Sequence, residues 1–345
     1  MSTEFLNFAI IEMTTSCNLH CVHCYNRRMP DDILIAEKGI YKKAFRLLEH
    51  LIRFTTVKRI TFTGGEPCLG ERFLELVLHV KLKGKSVTII TNGNGPSDVY
   101  RQLAKMKVDR MQFSIHSSQA DIHDRITGVT GSWEKAVGNM KFMLENDIPV
   151  TPVFVITSLN YRDAAAAIRF FYQMGINNVM VNRYNIGGEG LKHPHLSATA
   201  PQLRETFRQL EHYAENHSIR IFSGVCTPFC LLNPGDYPHI RFGACATDVY
   251  QRPLTIDLDG NLRLCNHSPV VAGNIFKQSL IEIFTNPYLS EWEDLDIPFC
   301  KDCIRLSQCK GGCRAASEQT GYSLKHEDPI IQELNISPYT NIKAL

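Results

Sequence analysis

Residues 14–27 read TTSCNLHCVHCYNR, placing Cys17, Cys21 and Cys24 in a C-x3-C-x2-C spacing just after the apolar run NFAIIEM at 7–13. Three thiols on a short polar loop at a strand end form a ligand set for iron and sulfur. Three thiolates can fix three corners of a cubane and leave the fourth iron open to a reactant, whereas structural zinc asks for four closed ligands.

The chain around this loop has 345 residues, of which 44% are apolar, enough for one large core and a smaller satellite. Lys and Arg number 37 against 35 Asp and Glu, a formal charge of +2, and no basic run long enough to follow a phosphate backbone occurs. Nucleic acid is therefore not an expected partner. No signal-type start appears, and no apolar run approaches the roughly 20 residues of a membrane helix, so a soluble, cytoplasmic protein is expected. In that compartment the twelve cysteines read as metal ligands before disulfides.

From 7 to 185, short β-branched runs alternate with helical patterns. Strands are expected at 7–13, 58–63, 86–91, 109–116, 150–157 and 178–183, with helices near 37–53, 70–83, 98–106, 132–146 and 161–174. Right-handed crossovers curl six such parallel strands into an open α/β barrel, a partial (β/α)6 TIM-like fold with reactive groups at the carboxyl ends of its strands. The Gly, Pro and His of 185–200 mark a break, and an amphipathic helix is expected at 201–217. Beyond 225, eight cysteines fall within ninety residues. The expected division is 7–185 for the barrel, 186–225 for a linker and bridging helix, 226–325 for a cysteine-rich α+β domain and 326–345 for a tail.

The turn Gly64-Gly65-Glu66-Pro67 follows the second strand. Paired glycines let a ligand approach the backbone, and a carboxylate beside exposed carbonyls suits an ammonium group. The same four residues also read as a plain strand-to-helix turn. With the cysteine loop, this turn resembles the radical S-adenosylmethionine (SAM) superfamily. The resemblance implies that Cys17, Cys21 and Cys24 hold a 4Fe-4S cluster, that its unique iron chelates SAM, and that Gly64, Gly65, Glu66 and Pro67 bind the SAM amino group. It further implies that Tyr25 lies near the adenine, and that Asn92, Ser114 and Arg125 contact the ribose and carboxylate. Asn160 and Arg183 stand at strand ends within reach of the same pocket. His20 and His23 are expected around the loop without ligating, and Cys68 as a packed thiol.

The pattern Cys245-x14-Gly260-x4-Cys265, followed by Cys300-x2-Cys303-x5-Cys309-x3-Cys313, resembles the SPASM extension of that superfamily, which carries auxiliary iron–sulfur clusters. By the family's interleaving, Cys245, Cys265 and Cys313 share one cluster with an upstream thiol, Cys230 or Cys226, and Cys230 is the expected choice. Cys300, Cys303 and Cys309 hold the second. The family's closing cysteine is absent, with Ile331 at its place in HEDPII, and His326, Glu327 and Asp328 are the nearby alternatives. CxxC pairs also read as a zinc ribbon.

The resemblance implies reductive cleavage of SAM to a 5′-deoxyadenosyl radical that abstracts a substrate hydrogen. The expected activity is oxidative maturation of a peptide or protein, with a flavodoxin or ferredoxin as reductant. The loop begins at residue 17, so a separate peptide-recognition protein is the expected partner in place of a fused one. The alternatives are a small-molecule dehydrogenase or decarboxylase of a sugar, aminocyclitol or tetrapyrrole pathway, and a non-enzymatic electron-transfer or zinc scaffold protein. No catalytic base is singled out among Asp248, Asp257, Glu189, His116 and Tyr184.

Overall fold

The computed structural model describes residues 4–26 and 39–337. The first two residues of the helix expected at 37–53 and residues 338–345 of the expected tail lie outside them. All six expected strands form: β1 (Phe8–Glu12), β2 (Arg59–Thr63), β3 (Ser86–Thr91), β4 (Arg110–Ser114), β5 (Val150–Ile156) and β6 (Asn178–Arg183), each parallel to the next. The reason is visible in alternate positions. Ala9 and Ile11, Ile60 and Phe62, Met111 and Phe113, and Val179 and Val181 are buried, whereas the intervening Ile10, Thr61, Gln112 and Met180 lie on the sheet's other, half-exposed face.

Helices cover the buried face. In α1 (Ile40–Phe54), Ala44, Leu47, Leu48 and Leu51 form the buried stripe at helical spacing, and Thr55 ends the helix by donating from Oγ1 to the Leu51 carbonyl at 2.7 Å. The helices α2 (Phe73–Leu82), α3 (Ser97–Lys105), α5 (Ser132–Glu145) and α6 (Ala164–Gln173) follow the expected alternation. One helix was not expected: α4 (Ala120–Thr127), whose sequence ADIHDRIT offers few apolar residues. Its polar side chains do the packing. Asp124 accepts from Gly131 N (2.6 Å), Ser132 Oγ (2.8 Å) and Trp133 N (2.9 Å), capping the start of α5. His123 is fully buried, and its Nδ1 accepts from His116 N at 3.1 Å.

The parallel sheet does not stop at β6. A capping box between Thr199 and Gln202 starts α7 (Ala200–Asn216), where the bridging helix was expected. After it β7 (Arg220–Ser223) pairs with β6 and β8 (Ile240–Phe242) pairs with β7, both parallel. The stretch expected to be linker thus carries one further sheet strand, β7, and the expected cysteine-rich domain supplies the next, β8. On the opposite edge, β9 (Leu254–Asp257) lies parallel to β1, with Ile11 opposite Ile256 and Glu12 opposite Asp257. The short β10 (Asn261–Arg263) and β11 (Gly273–Asn274) add antiparallel, giving one open sheet of eleven strands. The cysteine-rich region is therefore zipped to the barrel through β1, and an Arg263–Glu12 ion pair reinforces the join.

Five short helices complete the C-terminal part: α8 (Leu280–Phe284), α9 (Pro287–Glu293), α10 (Leu306–Cys309), α11 (Arg314–Gln319) and α12 (Pro329–Glu333). The expected tail takes part in the core, since Ile330 and Ile331 are buried and Asp328 forms a buried ion pair with Arg183 of β6. None of the described helices is long and apolar enough to cross a membrane.

Burial pulls the His123 imidazole from its ordinary value of 6.5 down to about 4, so the native state holds it neutral. Its contribution to stability is complete above pH 6.5 and is lost as pH falls toward 4, because the unfolded chain takes up the proton first. The loss is about 3 kcal/mol in this interval. Urea midpoints measured from pH 7 to 4 should fall more steeply for the native chain than for His123→Gln; parallel curves would refute the assignment.

Candidate functional site

The cysteine loop leaves β1 and runs beside the turn after β2 as though the two strands continued. Met13 N donates to Thr63 O (2.9 Å), Gly65 N to Thr14 O (2.7 Å) and Glu66 N to Ser16 O (2.9 Å). The approach is too close for side chains. A Cβ on Gly65 would stand 1.9 Å from the Ser16 carbonyl oxygen, and one on Gly64, whose φ is +138°, 2.4 Å from that of Thr14. A second glycine pair grips the loop's far end. Gly188 would place a Cβ 2.1 Å from the Tyr25 oxygen, while Glu189 N and Gly190 N donate to Asn26 O and Cys24 O, each at 3.1 Å. Between these ends, His20 N and Val22 N donate to the Thr127 and Ile126 carbonyls that close α4. The segment 187–190, expected as linker apart from Glu189 among the polar groups considered as a base, is thus part of the site, and its Gly-Gly-Glu repeats the motif at 64–66.

The Glu66 carboxylate is wholly buried and accepts from Asn92 N (2.6 Å), Thr91 Oγ1 (2.8 Å) and Cys68 N (3.1 Å). It ties the turn after β2 to the end of β3. Pro67 opens the short helical turn beyond it, and Cys68 is buried in the core. Asn92 connects this frame to the thiols: its Nδ2 lies 3.5 Å from Cys17 Sγ and 3.0 Å from Asn18 Oδ1. Leu19 N also points to Cys17 Sγ at 3.5 Å. Burial pushes the Cys17 thiol up, so a thiolate there needs a cationic partner. Iron would supply that charge, and the two N–H groups suit an anionic sulfur. The donor set fits the expected cluster.

Tyr25, Gly64, Gly65, Glu66 and Asn92 are gathered at the loop. Ser114 ends β4, and Arg125 is exposed on α4 next to the Ile126–Thr127 contact with the loop. Two other expected positions serve the frame. Asn160 caps the end of β5, accepting from Thr157 N (2.7 Å) and donating to His116 O (2.8 Å) and Val155 O (2.9 Å). Arg183 is bound to Asp328. His20 is exposed, and His23 packs its ring 4.4 Å from that of His116.

Behind the loop, the Tyr25 ring lies 5.7 Å from that of His267, whose backbone N donates to Cys265 Sγ at 3.4 Å. This leads into a first group of C-terminal thiols: Cys226, Cys245, Cys265 and Cys313. The hydrogen bond from the Cys226 thiol pulls Cys245 down to about 6, assisted by the guanidinium groups of Arg252 and Arg314, and the charges of Cys313 and Cys265 bear on Cys226. Asn185 Nδ2 donates to Cys313 Sγ at 3.2 Å. Buried N–H atoms of Arg183, Arg252 and Arg314 have no protein partner. Orphaned cationic donors around four thiols are what an anionic cluster would satisfy.

The remaining thiols, Cys230, Cys300, Cys303 and Cys309, line one cavity together with Phe229, Leu306 and Ile331. The expected placement of Cys230 beside Cys245 is therefore not found; Cys226 stands there. The cause is a turn begun at Pro228, with Leu231 N and Leu232 N donating to the Pro228 carbonyl (2.9 and 3.1 Å), which separates the two cysteines onto different neighbours. Asp328 is likewise occupied, accepting from Cys313 N at 2.7 Å besides pairing with Arg183. Among the described residues, no three His, Cys, Asp or Glu side chains converge on a single-ion site.

Residues 11–171 match the model of the Radical SAM superfamily, and residues 245–304 that of SPASM, an iron–sulfur cluster-binding domain. A probable GTP 3′,8-cyclase of Saccharolobus solfataricus is 26% identical over 61% of this chain and 65% of its own length. The chain spans less than two thirds of the first curated relatives it matches. The PqqA peptide cyclase of Methylocella silvestris is 23% identical over 93% of this chain and 86% of its own. Among solved structures, native anSMEcpe with bound AdoMet and Cp18Cys peptide superposes with a TM-score of 0.69 at 16% identity, covering 97% of this chain and 95% of that one.

Gly65→Ala should destabilise the protein by at least about 3 kcal/mol, the upper part of the overpacking range, because the obstructing atom is backbone. Gly138→Ala in α5, where an added Cβ meets nothing within 4 Å, should instead stabilise by about 1 kcal/mol. Urea denaturation of both variants checks the contrast.

Proposed function

Since the chain belongs to the radical SAM superfamily and carries a SPASM domain, we propose that it is an oxidative maturase of a peptide or protein substrate. When bound, the clusters and SAM supply one-electron reduction, a 5′-deoxyadenosyl radical for hydrogen abstraction, and an acceptor that makes the net reaction an oxidation.

The chain's own residues hold and shield that chemistry. Cys17, Cys21 and Cys24 are the ligands of the SAM-binding cluster. Gly64 and Gly65 with Tyr25, Asn92, Ser114 and Arg125 would form the SAM-binding lining, and the buried Glu66 and Pro67 shape the turn behind it. Glu66 keeps the turn after β2 and the end of β3 in one orientation by its three accepted hydrogen bonds. Tyr25, Gly187 and His267 close the loop's back against water, with His267 Nε2 2.9 Å from the Ile186 carbonyl oxygen. Exclusion of solvent protects a reactive intermediate from stray donors.

The observation carrying this reading is the first C-terminal thiol group, ringed by arginines and joined to the SAM loop through the His267–Tyr25 contact. It offers an electron acceptor next to the reaction site. Similarity along nearly the whole chain to a peptide cyclase supports the peptide class. Similarity to a GTP cyclase over 61% of the chain supports a small-molecule substrate as the second reading.

Anaerobically reconstituted protein with a strong reductant should convert SAM to methionine and 5′-deoxyadenosine, and Cys17→Ala, Cys21→Ala and Cys24→Ala should each reduce turnover to background. A peptide substrate should emerge lighter by two hydrogens, as mass spectrometry reads directly. Intact SAM would refute the enzymatic reading; cleavage coupled only to a small molecule would favour the second.

A further inference from the structure

The second C-terminal thiol group lacks the cysteine that the SPASM pattern places near residue 331, and three thiolates alone would leave an iron open. A fourth ligand at this place presupposes the cluster-binding reading of the C-terminal region. Ile331 occupies the expected position, is 2% exposed and lines the same cavity as Cys300, Cys303 and Cys309. The cavity's fourth thiol comes from elsewhere in the chain. Cys230 enters it from the turn begun at Pro228, and the adjacent Phe229 N donates to Cys309 Sγ at 3.4 Å, fixing that turn against the cysteine-bearing helix α10. From α7, Arg204 anchors the same turn through Nε to Leu231 O (3.1 Å) and Nη2 to Cys230 O (3.3 Å).

We infer that Cys230 is the fourth ligand of the second auxiliary cluster, taking the role of the tail cysteine in the same cavity. The chain then holds two complete four-thiolate sites. Cys226 serves the first with Cys245, Cys265 and Cys313, and Cys230 serves the second with Cys300, Cys303 and Cys309. A closed second site has no iron free for a substrate heteroatom, so its use is electron transfer. Asp328 does not line that cavity and is engaged elsewhere, its Oδ2 with Arg183 and Cys313 N and its Oδ1 with Ile330 N at 3.2 Å.

The test uses the full chain reconstituted without oxygen, with iron and sulfide analysis and electron paramagnetic resonance of the reduced protein. The native chain should hold about twelve irons, the content of three cubanes. Cys230→Ala should lose about one to four of them and the signal of one cluster. Adding Ile331→Cys to that variant should restore both, since a thiol then enters from the wall where the family pattern expects it. Full iron with an unchanged spectrum in Cys230→Ala would overturn the inference, as would a loss that Ile331→Cys does not repair, or zinc in place of iron at this site. Cys17→Ala, measured alongside, reports separately on the SAM-binding cluster. An iron content unaffected by Cys17→Ala would count against the proposed function and leave the Cys230 result standing.

Discussion

The site depends on backbone lying against backbone. The cysteine loop is held at Thr14–Ser16 by Gly64 and Gly65 and at Tyr25–Asn26 by Gly188–Gly190, with donors from one chain segment paired to carbonyls of the other. A loop fixed this way has little freedom left to lose when it takes up a cluster, which favours binding by lowering the ordering cost. It also explains why Glu66 is spent internally. A turn that must keep two glycines flat against another strand needs an anchor on its other side, and a carboxylate with three donors provides one.

The two C-terminal thiol groups sit in different surroundings. Three buried guanidinium groups face the first, and one of them, Arg252, is itself seated 4.2 Å over the buried Trp292 ring. Phenylalanine, leucine and isoleucine wall the second, with Arg305 as its one cationic lining residue. Fixed positive charge favours the more negative occupant, and the first site, with Arg252 and Arg314 beside Cys245, has more of it than the second, with Arg305. The first is the one linked to Tyr25 through His267.

Much of this architecture was legible in the chain because periodicity reports burial. The six β-branched runs and the amphipathic helices have no other simple use, and the C-x3-C-x2-C loop has a spacing that little else explains. What escaped was built from polar residues or from direction. The helix containing His123 and Asp124 shows no apolar stripe, because its capping bonds substitute for one. The strand Arg220–Ser223 is only four residues long and leads into a stretch rich in glycine and proline at 224–238. Cys226 and Cys230 could not be assigned by spacing, since the side toward which each thiol points is set by the turn at Pro228. Likewise, the repeated Gly-Gly-Glu at 187–189 gains meaning only once Tyr25 is seen against it.

Strand pairing between β1 and β9 has a further effect. The first N-terminal cysteine emerges five residues beyond Glu12, the last residue of one of these strands, and Cys265 comes after a hairpin that starts on the other. No swivelling tether intervenes. Their separation is therefore set by the rise of the strands and the bend of one hairpin, as on a ruler cut into the sheet. The spacing between the two groups is thus laid down when the sheet forms.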